Sequence, residues 1–300
     1  MKMKKLILVT VIAGLTASSA ASAATVYEKD GLTLDLKGDY QVQAYQPVGT
    51  DEDLGIDYDD LELKFGASYE LENGMSAFGQ LDLDWKDQGD GNDDDVVDEA
   101  YVGLKAGAFS TSLGRQYWGS DDFGVEKAIE MDGGNAFPTT GGNDTIKFKY
   151  DAGQYAATLS HDLEENNDES ATDLLLTTKL GPAALGLVYQ DYKANGSADS
   201  IQTTGVMASF DLGVSNVGLD YSTNDDADFI NAAVDFPLTP QTKGAVGVTS
   251  ESPDSGDDVL HWYANATHQL NSKVSVFAEI GDNDVDNTDM GYLAGMNVTF

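Results

Sequence analysis

The chain has 300 residues, a net charge of −36 and no cysteine. Such acidity excludes nucleic acid as a partner, because phosphates are repelled, and the missing cysteines exclude a disulfide-held scaffold. No apolar run reaches ~18 residues, which excludes membrane-spanning helices.

The chain opens on MKMKKLILVTVIAGLTASSAASA, with Lys2, Lys4 and Lys5 ahead of the apolar stretch Leu6 to Leu15 and the A-x-A site Ala21-Ser22-Ala23. This pattern predicts a signal peptide over 1–23 and a mature domain over 24–300. The mature domain then carries 13 basic and 52 acidic residues. From Leu32 onward the hydropathy keeps a period of two, the signature of β-strands. Leu61, Leu63, Phe65, Ala67, Tyr69 and Leu71 share one face, opposite Glu62, Lys64, Gly66, Ser68 and Glu70. Sixteen such segments follow in chain order: 32–46, 56–71, 75–85, 96–106, 109–118, 145–151, 155–162, 172–180, 184–192, 201–212, 216–222, 229–236, 243–250, 259–270, 273–281 and 290–300.

Their connections alternate between short turns, such as ENG (72–74), AGQ (152–154) and GPA (181–183), and longer acidic loops. The acidic loops include DQGDGNDDD (87–95), EENNDES (164–170), ANGSADS (194–200), ESPDSGDD (251–258) and DNDVDNTD (282–289). Short turns at one end and long loops at the other describe an outer-membrane barrel. Backbone groups in hydrocarbon must all be paired, so a sheet spans a bilayer only when closed. The expected fold is all-β: a 16-stranded antiparallel transmembrane β-barrel. Sixteen strands are too many for side chains to fill, so the lumen holds water. The last strand, GYLAGMNVTF, is expected to pair with the first, with Phe300 at the lipid interface. Aromatic girdles are expected from Tyr45, Trp85, Tyr189, Tyr221 and Trp262 at the long-loop end. Tyr69, Tyr150, Phe210, Phe236 and Phe300 are expected at the other. One connection breaks the pattern, Ser120 to Asp144, and its VEKAIEM segment suggests a short helix. Long structured loops are usually functional. Alternation puts Lys147 and Lys149 in the lumen.

Four stretches resemble the general porins of Gram-negative outer membranes. They are TVYEKDGLTLDLKGDY (25–40), DEAYVGLKAGAFSTSLGRQYWG (98–119), NDTIKFKYD (143–151) and the terminal Phe300. The resemblance implies a homotrimer of water-filled channels for passive diffusion of ions and small hydrophilic solutes, set among outer-membrane lipid and lipopolysaccharide. Phe300 is then the signal read by the barrel-assembly machinery. The third loop, 120–144, is expected to fold into the pore as its constriction. The GRQY stretch puts Arg115 where relatives carry a basic pore residue. Strict alternation puts it beside the outward Leu113, unless a bulge at Gly114 turns it inward. Lys147 and Lys149 complete the basic side, with Glu126, Glu130 and Asp132 opposite on the loop. Two positions often basic in relatives are Asp39 and Asp98 here, and Glu62, Asp82 and Glu99 add further negative charge to the lining. Cations are therefore the preferred ions.

The loop DNDVDNTD has EF-hand spacing at Asp282, Asp284 and Asp286. Asn287 replaces the required glycine and Leu293 the required glutamate, so no metal site is expected. No cofactor is implied. His161, His261 and His268 lack metal spacing, and no nucleophile signature argues for an enzyme. The alternatives are a substrate-specific channel or an outer-membrane barrel enzyme. The acid excess predicts a saline habitat, because salt screens self-repulsion.

Overall fold

The computed structural model describes residues 23–86, 96–163, 169–197 and 199–300. The signal segment up to residue 22, the loop 87–95, most of the loop 164–170 and Ala198 lie outside the described residues. Seventeen strands are seen among them. A short β1 (Ala24–Lys29) is followed by β2 (Leu32–Gln46), β3 (Gly55–Glu70), β4 (Met75–Asp84), β5 (Val97–Ala106) and β6 (Phe109–Tyr117). After the long loop come β7 (Gly141–Asp151), β8 (Tyr155–Asp162), β9 (Ser170–Leu180), β10 (Ala183–Lys193), β11 (Ile201–Asp211) and β12 (Asn216–Thr223). The chain ends with β13 (Ala227–Thr239), β14 (Thr242–Pro253), β15 (Val259–Asn271), β16 (Val274–Asn283) and β17 (Gly291–Thr299).

Each strand from β2 to β17 pairs antiparallel with its sequence neighbours, and β17 pairs back onto β2 through Tyr292↔Gln46 to Thr299↔Asp39. The sheet is a closed barrel of sixteen strands, which leaves no open edge. The added β1 folds back through the turn Asp30-Gly31, whose positive φ values of 53° and 84° suit a two-residue hairpin. It pairs with the lower part of β2, from Ala24↔Leu36 to Lys29↔Leu32. Phe300 exchanges 3.0 Å backbone bonds with Gly38 on the same edge of β2. β17 and β1 thus cover one side of β2 in succession.

The faces separate by polarity. Val102, Phe109, Leu113 and Leu219 are more than half exposed on the outer wall. Asp173, Ser160, Thr203 and Asp220 are almost fully buried inside. Apolar outside and polar inside inverts the order of a soluble domain and matches a lipid-facing barrel. Phe300 lies on this outer wall, edge-on to Tyr40 with ring centroids 5.5 Å apart. A side chain at Gly38 would sit 2.2 Å from the Phe300 ring, so this glycine makes room for the aromatic end. Tyr189, Tyr221, Trp262, Tyr69, Tyr150 and Phe210 are outward and exposed. Tyr45 is not a girdle residue: Gln43 and Tyr45 lie on the inward face of β2, and Tyr45 packs against the cluster formed by Met131, Tyr263, Phe277 and Leu293.

Candidate functional site

Residues 118–140 are tied to inward-facing residues of the barrel wall. Trp118 and Thr140 close the neck of this loop, the Trp118 amide donating to the Thr140 carbonyl at 2.6 Å. The Trp118 indole, 1% exposed, donates to Thr145 Oγ1 at 2.9 Å. Only one short 3-10 turn forms, Gly119–Asp122. VEKAIEM is not helical. Its amides are taken by the wall instead. Val125 donates to Asp220 at 3.0 Å, and Lys127 donates to the Tyr263 hydroxyl at 2.6 Å. Ile129, Glu130 and Met131 all donate to the carboxylate of Glu279, at 2.7, 2.8 and 2.9 Å. Further along, Thr249 accepts from Gly133 and Ser222 accepts from Ala136. Gln190 donates to the Thr139 carbonyl. Asp173 receives Ser120 at 2.7 Å near the neck. A helix would satisfy such amides internally. Charge-assisted bonds to buried carboxylates are stronger, and here they win.

Apolar contacts reinforce these bonds. Phe123 and Phe137 meet at a tilt, with ring centroids 5.0 Å apart, and pack on Leu175 and Val188, inward residues of β9 and β10. Met131 packs with Tyr263, Phe277 and Leu293. Three wall glycines receive loop side chains. A Cβ at Gly205 would meet Phe123 at 2.6 Å, one at Gly218 would meet Val125 at 2.4 Å, and one at Gly281 would meet Met131 at 2.7 Å. These anchors were not singled out from the sequence. A faint signal existed, since Leu175 in DLLLTT interrupts the polar inward face with an apolar side chain.

The expected pore residues fall into separate groups. Lys147 and Lys149 point inward on β7, next to Ser112 and Ser110 of β6. Lys147 donates to the Tyr117 carbonyl at 2.7 Å. Lys149 shares a cavity of about 380 Å3 with Asp121, Asp122, Glu126, Lys127 and Lys179. Glu126 is thus the loop acid on the lysine side. Glu130 lies elsewhere, accepting from Gln43 at 2.8 Å beside Asp57, Asp59 and Glu279. Burial pushes the Glu130 carboxyl above its ordinary value, and the charges of Asp57 and Glu279 add to this. Asp132 is exposed, between Met131 and Gly133.

Arg115 is half-buried at the upper end of β6, opposite Ala100. Ser112 and Gln116 both point inward and share a hydrogen bond, so alternation continues across Gly114 despite its φ of 126°. The register slip lies between Gly114 and Gln116 on the β7 side. Arg115 lines a rim cleft with Asp98, Tyr117 and Asn143, apart from Lys149.

On the acidic wall, Asp39 is inward, bridging Lys37 at 3.7 Å and accepting from Asn297. Glu62, Asp82 and Asp98 bring carboxylate oxygens within 4.8 Å of one another. Lys64 is already paired with two of them, at 3.2 Å from Glu62 and closer to Asp82. Glu99 accepts from Gln80. The DNDVDNTD loop closes on its own asparagine: Asn283 Oδ1 accepts from the Val285 amide and the Thr288 hydroxyl. His161 and His268 each meet a neighbouring threonine, and His261 faces Glu251 at 3.4 Å.

The model of the Gram-negative porin family matches residues 9–288. The chain is 30% identical over 99% of its length to porin-like protein H of Photobacterium profundum, spanning all of that protein. A monosaccharide porin of Halomonas is 34% identical over 37% of this chain and 33% of its own length. Among solved structures, the trimer form of OmpT from Vibrio cholerae superposes with a TM-score of 0.79 at 17% identity, covering 90% of this chain and all of that one. An anion-selective porin from Comamonas acidovorans superposes at 0.73 with 13% identity, over 90% of this chain and all of its own. The closed sixteen-strand barrel, its inverted polarity and the family match along the chain lead to one assignment: this protein belongs to the Gram-negative porins of the outer membrane.

Proposed function

We propose that the protein is a non-enzymatic, cation-preferring diffusion channel for small hydrophilic solutes, in which the loop between β6 and β7 narrows the pore. The supporting observation is the acidic wall of β3 to β5. Glu62, Asp82 and Glu99 line it with Lys64 as the nearby inward cation. Rings of carboxylates favour cations, and a low-dielectric cleft focuses their field. Lys147 and Lys149 do not balance this wall, because Asp122 and Glu126 stand near them. The mature chain begins at Ala24 after a cleaved signal peptide, and three copies assemble, as the trimeric OmpT neighbour does. The acid excess fits a saline setting, where salt screens self-repulsion. Reversal potentials in planar bilayers under a potassium chloride gradient test the reading. Cation permeability above that of chloride is expected; equal or greater chloride permeability overturns the preference.

A further inference from the structure

We infer that the channel rectifies, carrying more cation current from the long-loop side inward than in the opposite direction. This rests on the channel reading above and concerns where the charge lies along the pore axis. Four fully described connections at the long-loop end, 47–54, 224–226, 254–258 and 284–290, carry eleven acids and no lysine or arginine, and the fifth, 118–140, carries five acids and Lys127. The short connections at the other end carry only Asp30, Glu72 and Lys273. Just above them the inward wall holds Lys37, Lys105, Lys149, Lys179 and Lys243. At matching depth it holds Asp35, Glu70, Asp151, Asp211 and Asp235. The outer mouth is therefore strongly negative, while the inner vestibule is close to neutral.

The two halves carry current differently. At the mouth, cations carry nearly all of it. In the neutral vestibule, anions share it. When the long-loop side is positive, cations enter through the mouth faster than they leave the vestibule. Anions drawn up from below cannot exit past the acidic rim. Both ions accumulate inside and conductance rises. Reversed polarity drains the vestibule of both ions and conductance falls. Salt removes the effect, since the Debye length shrinks from ~10 Å at ~0.1 M to ~3 Å at ~1 M.

The test is single-channel recording in symmetric potassium chloride. Orientation is assigned with an Asp225→Cys variant, labelled from one side by a bulky impermeant thiol reagent, in a chain that has no cysteine. At ~0.1 M salt and ~100 mV, current should be about twofold larger with the long-loop side positive, and symmetric at ~1 M. Changing Asp51, Asp53, Asp257 and Asp258 to asparagine should lower the low-salt ratio; all four are exposed, and asparagine tolerates the positive φ at position 51. Symmetric currents at low salt, or a larger current of opposite polarity, overturn the inference and leave the channel reading standing. Absence of any conductance in a folded barrel overturns both.

Discussion

Three consecutive loop amides converge on Glu279, which is 1% exposed and also accepts from Asn265. A bond to a charged group contributes about 1.5–3 kcal/mol, and an orphaned buried donor costs a similar amount. Glu279→Ala should therefore destabilise the barrel by several kcal/mol and loosen the loop, seen as a lower unfolding temperature and noisier open-channel current. Glu279→Gln keeps an acceptor and should lie between. An alanine variant with wild-type current noise would show that the loop is held elsewhere. Glu130 makes a second prediction. Its carboxyl is raised above the ordinary glutamate range of ~4.3 by burial, so it takes up a proton at higher pH than an exposed glutamate. Falling pH removes its negative charge early. The proposed potassium-over-chloride preference should decline as pH falls, starting at a higher pH than an ordinary exposed glutamate would give. Glu130→Gln should start lower and decline less, and a slope identical to wild type would exclude Glu130 from the conduction path.

At the scale of elements, the loop matters more than any strand. Wall and loop were made for each other: Gly205, Gly218 and Gly281 leave gaps that Phe123, Val125 and Met131 enter. Shortening the loop between Gly124 and Gly134 removes the Glu279 and Asp220 attachments together. Single-channel conductance should rise severalfold and larger sugars should enter proteoliposomes in swelling assays. A well-folded shortened variant with unchanged conductance would remove the loop from the role of constriction. The closing pair β17–β2 shows the same local economy. Gly38 clears space for the Phe300 ring, and the last backbone bonds run between these two residues.

For the whole molecule, charge is the governing property. A net charge of −36 over the full chain produces strong self-repulsion in dilute buffer. The protein should therefore gain thermal stability as sodium chloride rises toward ~1 M, where the Debye length is ~3 Å. The measurement needs a chelator present, so that divalent ions bridging the acidic rim do not mimic screening. A stability flat across this range would show that the acid excess is not a salt adaptation.

The sixteen barrel strands, their two faces, the barrel closure and the identity of the exceptional loop are readable from the chain, because each depends on a period of two and on turn length; the added β1 and the first four residues of β7, 141–144, are not. Lys147, Lys149, Asp39, Glu62 and Asp82 fell on the inward face for the same reason. Tyr45 was misread as an outer aromatic although Gln43, two residues earlier, shares its inward face. VEKAIEM read as a helix because propensity sees only neighbours. Glu279, lying 149 residues beyond Glu130, takes the amides a helix would have used. The loop's attachment to the wall, and with it the different neighbours of Glu126 (Lys149 and Lys179) and Glu130 (Gln43), was decided only when the sheet closed. Closure brings β7 to β16 around one lumen, and contacts across that lumen leave no local periodicity in the chain.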